Sequence, residues 1–310
     1  MDKIVVTKSS KGSRLGYVSL PTEVIFHIII GLYSLLCIIP FIFVIIISFS
    51  AESSIRDIGF SFIPKALSLE AFQYVMKTGD QLLRSFFNSV FVSVVGTVLS
   101  VLICILYSYA LFRKDFKFRQ FFLFFSFFTM LFGGGLTPTY MVCKNFLGLN
   151  DNYAALIVPL LVSPFNFIIM RTFFQSSVPE ALIESASIDG SGEYRTLFQI
   201  IVPVSMPGIA TISLLNMLAY WNEWFTALLY ISSPKLIPLQ YLLIRLQQQL
   251  EFLVNNSSRL GAEASSIAMN LPKESYKMAM VVIIVIPIAF AYPFFQRYII
   301  SGLTIGAVKG

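Results

Sequence analysis

The sequence predicts an all-α integral membrane protein with six transmembrane helices. Of its 310 residues, 56% are hydrophobic and 12% are charged, and the mean hydropathy is +0.79, far above the range of soluble domains. Six apolar stretches are each long enough to span a bilayer, at about 20 residues per helical crossing. They cover residues 24–49, 89–112, 121–142, 153–174, 208–230 and 278–300. These stretches lack the alternating segments of about ten residues that a transmembrane barrel needs.

The first stretch resembles a signal peptide only superficially. Its apolar run, 24–49, far exceeds the usual h-region of about 7–15 residues. We therefore expect it to remain attached, as the first span of a six-helix membrane domain covering 23–310.

Basic residues in the short loops predict the orientation. The segment 1–22 carries Lys3, Lys8, Lys11 and Arg14, and the loop after the second span carries Arg113, Lys114, Lys117 and Arg119. Because positive loops stay on the cytoplasmic side, both should be cytoplasmic. Six spans then place the C-terminus on the same side, and the segments 50–84 and 232–277 outside.

Glycine and proline residues break several spans. Residues 133–138 should interrupt the third span, Pro159 and Pro164 the fourth, and Pro287 and Pro293 the sixth. Irregular backbone at membrane depth can line a cavity for a polar solute. Kinks and small residues also serve helix packing, so both interpretations remain open.

Residues typical of covalent chemistry are sparse. Cys37, Cys104 and Cys143 have no metal-ligand spacing, and His27 stands alone. The triple glycine at 133–135 lacks the Gly-Lys-Ser/Thr ending of a phosphate loop. The sequence therefore predicts no catalytic residues, no metal site and no cofactor held by this chain.

The loop 175–207 is acidic although it is predicted to be cytoplasmic. Ser177 and Glu180 are spaced like a capping box, which predicts a helix start. Gly190 is suited to end that helix. A second helix is predicted from Gly192 until Pro203 interrupts it.

The first of these two helices has two different faces. Glu180 and Glu184 are four residues apart and share one face, where like charges oppose the helix. Ala181, Leu182, Ser185 and Ala186 form the other, a small-residue face. Such a helix could dock in a basic groove of a partner, or it could be a solvated connector.

The spacing Glu184-Ser185-Ala186, three residues, Gly190, nine residues, Ile200, one residue, Val202-Pro203 resembles the EAA loop of ABC importer permeases. In that family the first helix of the loop docks on the cytoplasmic ATPase. The resemblance implies that Glu184 faces a basic ATPase residue, that Ala186 packs closely there, and that Gly190 forms the turn. The coupling residues it implies are Glu180, Glu184, Ser185, Ala186, Asp189 and Gly190.

Two further segments are similar to MalG-type permeases of carbohydrate importers: residues 220–223, Tyr-Trp-Asn-Glu, and the ending at 296–310. Residues 132–140 and 169–174 are similar to the LplC/YtcP branch, which is associated with oligosaccharide uptake. The resemblance implies a type I permease fold, a second permease subunit and an external sugar-binding protein. It also implies two copies of an ATPase, which bind ATP and magnesium. It suggests an ATPase contact by the tail at Gly302, Thr304 and Lys309.

The fifth span carries a cluster of polar and aromatic residues: Asn216, Trp221, Asn222, Glu223 and Trp224. An ionisable residue inside a span is a functional candidate, and Trp221 and Trp224 share a helical face that suits a sugar ring. The cluster also lies toward the outer surface, where tryptophans form an ordinary interfacial belt. Substrate contact and interfacial anchoring both remain open.

The external loop 232–277 contains Gln247, Gln248, Gln249 and Asn255. By the resemblance, these residues are candidates for docking the binding protein, although an ordinary polar helix would have the same composition.

The sequence thus predicts a permease subunit of an ATP-driven sugar importer in the bacterial cytoplasmic membrane, with oligosaccharides as the expected substrate. Two alternatives stay open: a permease for peptides or amino acids, and an integral-membrane enzyme.

Overall fold

The computed structural model describes residues 20–77, 79–256 and 272–307, with the side chains of Leu20 and 299–307 excluded. Helices dominate this part of the chain, and its one isolated β-bridge joins Ser50 and Leu67. The helices are α1 Leu20–Ser48, α2 Glu52–Ile58, α3 Glu70–Met76, α4 Asp80–Phe112, α5 Arg119–Leu131, α6 Leu136–Met141, α7 Tyr153–Ile157, α8 Pro164–Ser177, α9 Glu180–Ile188, α10 Glu193–Thr196, α11 Val202–Val204, α12 Met206–Asn222, α13 Phe225–Tyr230, α14 Leu239–Asn255 and α15 Lys273–Ala307. Short π-helical turns follow α6 and α10, and 3₁₀ turns occupy Val158–Leu160 and Pro234–Leu236.

Three helices, α1, α4 and α15, are each long and apolar enough to cross a membrane in one piece. Three bent pairs also satisfy this test by length and composition. These pairs are α5 with α6 (114°), α7 with α8 (55°) and α10–α11 with α12 (84°). If each pair counts as one span, the described residues contain six. The predicted all-α membrane fold is confirmed.

The predicted breaks are present in two of the three spans. Gly133, Gly134 and Gly135 are non-helical between α5 and α6, and α8 begins at Pro164 after an irregular segment. Pro287 and Pro293 do not interrupt the sixth span, because α15 continues through both residues. A proline inside a long helix need only remove one hydrogen bond and bend the axis, since neighbouring helices hold the helix on either side.

Helix α4 is the centre of the bundle, with contacts to α12, α8, α5 and α14. Half of its most apolar stretch is buried, whereas none of the corresponding stretch of α1 is. At Gly96 an added Cβ would lie 2.6 Å from the ring of Tyr220, so α4 and α12 approach closely there. Small residues in the second span therefore serve helix association.

Buried side chains form two separate clusters. One contains Phe167, Met170, Phe174, Leu197 and Ile201, and it lies beneath the loop 175–207. We call the region formed by that loop and residues 113–119 the EAA end. The other cluster contains Trp221, Tyr230 and Tyr276. We call the region formed by 50–84, 148–153, 232–256 and 272–277 the opposite end.

Side chains that bond to backbone join the segments of the opposite end. Asn88 Nδ2 donates to the carbonyl oxygens of Lys235 (2.8 Å) and Ile237 (3.2 Å), and its Oδ1 accepts from the Tyr153 hydroxyl (2.8 Å). The Asp151 carboxylate accepts from the amides of Ser232 and Ser233 at 3.0 and 2.8 Å. These bonds fix the loop 232–238 on α4 and α7.

A buried carboxylate caps the last span. Glu52 of α2 accepts from the backbone amides of Glu274 and Ser275, both at 3.1 Å, and from the Ser275 hydroxyl at 2.9 Å. The first turn of a helix has amides without intrahelical partners, and a negative charge is favourable there. Glu52 thus ties the chain after α1 to the start of α15, whose first residue, Lys273, precedes the predicted start at 278.

Candidate coupling loop and solute pathway

The loop 175–207 forms a helix, a turn and a second helix, as predicted. Helix α9 runs from Glu180 to Ile188, and Gly190 has a φ of +71°, a left-handed conformation. The predicted capping box is wrong. Ser177 is the last residue of α8, and the N-cap of α9 is Pro179, which has no side chain able to cap. The extended backbone at Val178 and Pro179 separates the two helices instead.

The two faces of α9 have different environments from those predicted. Ala186 is 5% exposed, so its methyl group packs inside this chain rather than facing a partner. Leu182 and Ile183 pack on the buried cluster at the EAA end. Glu184 and Ser185 are exposed, as are Asp189 and Gly190 at the turn. The outward face of α9 is therefore acidic, and of its small residues Ala186 is turned inward whereas Ala181 and Ser185 stay exposed.

Two large exposed residues at this turn were not among the predicted coupling residues. Ile188 is 86% exposed at the end of α9, and Tyr194 in α10 is 77% exposed. Ile188 follows Glu184 by four residues and so shares its face of α9. For Ile188 the available signal was a large apolar residue in the last turn of a helix, two residues before the glycine that ends it.

Part of the acidity of the loop 175–207 is neutralised by the basic loop 113–119. Lys114 Nζ lies 2.6 Å from a carboxylate oxygen of Glu180. Arg113 Nη2 lies 2.9 Å from Glu193 and 2.9 Å from Asp115. The Tyr109 hydroxyl donates to the other oxygen of Glu193. Glu180 of α9 and Glu193 of α10 are thus paired with cations of the loop 113–119, which is predicted to be cytoplasmic.

A cavity of about 550 Å³ separates α9 from that basic loop. Glu180 and Glu184 line it from one side, and Lys114, Arg119 and Gln175 line it from the other. Glu184 has no ion-pair partner among the described residues. It is consequently the carboxylate of α9 that is free to meet a cation from outside the chain.

The cluster in the fifth span is not arranged as one sugar-binding face. Helix α12 ends at Asn222, so Trp224 lies beyond the helix that carries Trp221. Trp221 is 3% exposed, and its indole N–H donates to the carbonyl of Ile284 in α15 at 3.2 Å. Trp221 is therefore a packing residue, and the predicted shared face with Trp224 is wrong.

The remaining members of this cluster have separate environments. Asn216 is buried, and its Oδ1 accepts from Asn166 Nδ2 at 3.1 Å. Glu223 caps the next helix by accepting from the Thr226 amide at 2.7 Å. Asn222 is exposed and contacts Gln240, and Trp224 is half-buried. Asn222 is exposed and Trp224 partly so, and neither side chain caps the start of a helix, so these two retain a surface for a solute, whereas the partly exposed Glu223 is engaged as a cap.

The glutamines of α14 are only partly free for docking. Gln247 donates to Glu251 at 3.1 Å, and this bond, with the ion pair from Lys277, lowers the pKa of the Glu251 carboxyl. Gln248 and Gln249 are exposed beside Arg245 and Phe252, around a cavity of about 440 Å³. Asn255 is exposed at the end of α14.

The predicted ATPase contact of the C-terminal tail involves residues whose side chains the structure does not describe. Gly302 and Thr304 belong to the last turns of α15, and Lys309 lies outside the described residues. Within the described part of the chain, no group of three or more His, Cys, Asp or Glu residues could hold a metal ion.

Comparisons with known proteins agree with this architecture. Residues 108–305 match the family described as "Binding-protein-dependent transport system inner membrane component". The chain is 39% identical to the polygalacturonan/rhamnogalacturonan transport system permease protein YtcP of Bacillus subtilis (strain 168), over 90% of this chain and 95% of that protein. It is also 39% identical to the protein LplC of the same organism, over 88% and 90%.

A solved structure shows the same fold. The bacterial ABC transporter involved in import of the acidic polysaccharide alginate contains a chain similar to this one, with a TM-score of 0.73 and 26% identity. The match covers 91% of this chain and 99% of that chain. YtcP is named as a transport system permease protein, and the family is a transport system component, so the enzyme alternative is removed.

A bent-helix bundle, an EAA loop with the expected turn, and close similarity to YtcP and LplC over most of the chain agree with one another. The chain therefore belongs to the family of binding-protein-dependent transport system inner membrane components, as a permease subunit of a sugar-importing ABC transporter.

Proposed function

We propose that α9 is the element through which a cytoplasmic ATPase drives this permease. The observation that carries the proposal is the outward face of α9, where Glu184, Ile188 and Asp189 are exposed together beside the Gly190 turn. Acidic and apolar groups on one short helix suit a groove lined by cations and apolar side chains.

The complex we propose contains two permease subunits, this chain and a homologous partner. Two copies of the ATPase bind ATP and magnesium, and a sugar-binding protein outside the membrane delivers the solute. The large exposed apolar surface of α1 and α5 is consistent with contacts to lipid and to the second subunit. Gln248 and Gln249 at the opposite end are proposed to contact the binding protein.

The EAA end is proposed to be cytoplasmic. Arg113, Lys114, Lys117 and Arg119 all lie there, as positive loops do on the cytoplasmic side. Both termini are then cytoplasmic, and the protein is a multi-pass component of the bacterial cytoplasmic membrane. The acidity of 175–207 does not oppose this orientation, because Glu180 and Glu193 are paired with Lys114 and Arg113.

The mechanism is mechanical. ATP binding closes the two ATPases, α9 moves with the groove that holds it, and the spans shift between states open to either side. Such coupling requires that α9 binds the two ATPase states with different free energies, since equal affinity would shift nothing.

We propose an acidic oligosaccharide as the substrate. YtcP is named for polygalacturonan and rhamnogalacturonan, and the structural neighbour takes part in alginate import. All three polymers contain uronic acid units. Asn222 and Trp224 are the pathway residues proposed to contact the sugar from this subunit.

The test is ATP hydrolysis and uptake by the reconstituted transporter with its cognate ATPase, partner permease and binding protein. Oligogalacturonides, alginate oligosaccharides, maltooligosaccharides and peptides are compared. We expect an acidic oligosaccharide to stimulate hydrolysis most. Preference for a neutral sugar would overturn the proposed charge, and preference for peptides would overturn the sugar class for this chain.

The role of α9 is tested in the same preparation with Glu184→Lys. We expect ATPase retention to fall by about tenfold, because a carboxylate that meets a cation is replaced by a like charge. Gln120→Lys, an exposed change at the same end, is the control. Equal retention by both variants would contradict docking through Glu184.

A further inference from the structure

One carboxylate, that of Glu193, makes the polar contacts between the loop 175–207 and the end of helix α4. Both oxygens of Glu193 in α10 accept hydrogen bonds from the end of α4: one from the Tyr109 hydroxyl and one from Arg113 Nη2 at 2.9 Å. Tyr109 and Arg113 are four residues apart and so share a face of the helix end. We call these three residues the Glu193 contact.

The Glu193 contact differs from the neighbouring ion pair in burial. The two carboxylates are equally exposed, Glu193 at 60% and Glu180 at 59%, so the difference lies in the cations: the Arg113 side chain is 21% exposed and that of Lys114 is 70% exposed. Exposed pairs contribute about 0–1 kcal/mol and are screened by salt. A charge-assisted pair that is partly desolvated and holds a second donor is stronger and more directional. The firm polar attachment of the loop to α4 is therefore at α10.

Apolar packing supports the same attachment. Leu197 and Ile201, directly after α10, are almost fully buried in a cluster that also contains Ile105 and Tyr109 of α4. Cavities of about 550 and 580 Å³ lie beside the contact, and Arg113 and Asp115 line both. The Glu193 contact thus bridges α10 and α4 where packing on either side is open.

Helix α4 can pass a displacement to the bundle. It contacts α12 and α8, and Gly96 holds it against Tyr220 of α12. The Tyr220 hydroxyl donates to the carbonyl of Ile157 at 2.9 Å and lies 3.2 Å from Ser100 Oγ. A rigid α10–α4 unit would therefore move the core rather than the loop alone.

We propose that Arg113 and Glu193 are positioning residues that carry the motion of α9 and α10 into α4. This inference rests on the proposed function, since it presumes that an ATPase moves α9. Docking and transmission are then separate tasks: Glu184 on α9 binds the ATPase, and the Glu193 contact on α10 conveys the movement to the spans.

The experiment uses the assembled transporter in lipid, with Arg113→Glu, Glu193→Arg, their combination, and Lys117→Gln. Lys117 is an exposed cation of the same loop, without an ion pair in the described structure, so its variant is the matched control. Two quantities are measured: ATPase retained on the purified permease, and sugar transported per ATP hydrolysed.

We expect each single reversal to retain the ATPase but to lower transport per ATP by about five- to tenfold, within the range by which residues between two coupled sites alter coupling. The combined reversal should restore at least about half of the wild-type ratio, because the two charges act as a pair. Lys117→Gln should match wild type.

Three results for the transport ratio would overturn the inference. They are an unchanged transport ratio in the single reversals, equal loss in the control, and no recovery in the combined variant. Loss of ATPase retention in the single reversals would also contradict it, because the contact would then shape the docking site. Failure of the proposed function is distinguishable, since the wild-type permease itself would then retain no ATPase.

Discussion

Each end of the molecule is stabilised by its own kind of polar contact. At the opposite end, buried side chains bond to backbone groups: Asn88 to the carbonyls of Lys235 and Ile237, and Glu52 to the first amides of α15. At the EAA end, side chains bond to other side chains, and most of these are exposed. The opposite end is thus built for fixed geometry and the EAA end for contacts that can rearrange.

The difference has an energetic basis. Leaving a buried donor or acceptor without a partner costs about 1–3 kcal/mol, whereas an exposed ion pair contributes about 0–1 kcal/mol and weakens with salt. A segment that is proposed to follow an ATPase through its cycle is expected to belong to the less stable part of a structure. The comparison predicts that substitutions at the two ends will affect stability and coupling differently.

The largest effect on stability is expected for Glu52→Ala. The variant removes the acceptor for two amides and one hydroxyl at the start of α15, so it should destabilise the fold by about 3 kcal/mol. The measurement is the thermal unfolding temperature of the purified permease. Asp57→Ala is the control, because Asp57 belongs to the same helix and makes only an exposed 3.7 Å pair with Lys65. Similar unfolding temperatures for both variants would contradict the cap.

Asn88→Ala tests the second buried anchor of the opposite end. It removes three hydrogen bonds that join α4, α7 and the segment 235–237, and about 2 kcal/mol of stability should be lost. Hydrogen exchange of residues 232–238 should increase. Asn145→Ala, at an exposed position, should leave both properties unchanged. Unaltered exchange in Asn88→Ala would show that the loop does not depend on this amide.

At the EAA end, Gly190→Ala should cost about 1–2 kcal/mol locally, because a side chain in a left-handed conformation is strained. No atom lies within 4 Å of the added Cβ, so the effect is purely conformational. We expect reduced ATPase retention with little change in the unfolding temperature. Gly192→Ala is the control, since Gly192 has a φ of −71° and equally open surroundings. Equal retention would mean that the turn tolerates another geometry.

The smallest effect is expected for Lys114→Gln, which removes the exposed pair with Glu180. Stability should change by less than about 0.5 kcal/mol, and the small difference from wild type should disappear in high salt. Unfolding temperatures at low and high salt provide the test. A large effect that persists in salt would show that the EAA end is held as firmly as the opposite end.

Much of this fold could be predicted because its signals are local. The apolar stretches predicted the spans. Three consecutive glycines predicted the break between α5 and α6, and Gly190 predicted the turn of the loop 175–207. Proline was less reliable, since the break before α8 was present but α15 continues through Pro287 and Pro293. The outcome at a proline depends on whether neighbouring helices support the bent segment, and this is not a local property.

The errors in the candidate site have the same origin. Trp221 was a candidate for solute contact or interfacial anchoring because it lies in a polar and aromatic cluster, but α15 covers it, from a part of the chain 63 residues away. Ala186 fitted a docking face by its size, yet it turns inward. The pairing of Glu193 with Arg113, across 80 residues, was also invisible. Spacing predicts which residues share a helix face but not which face meets the rest of the protein.

The Glu52 cap also bears on the order in which the chain is made. Glu52 accepts hydrogen bonds from the amides of Glu274 and Ser275, which lie 222 and 223 positions later in the chain. Glu52 therefore leaves the ribosome more than two hundred residues before these amides. Until α15 inserts, the carboxylate has no buried partners in that helix. Insertion of the last span therefore completes a contact for which α2 already supplies the carboxylate, and a chain that ends before residue 273 would lack it.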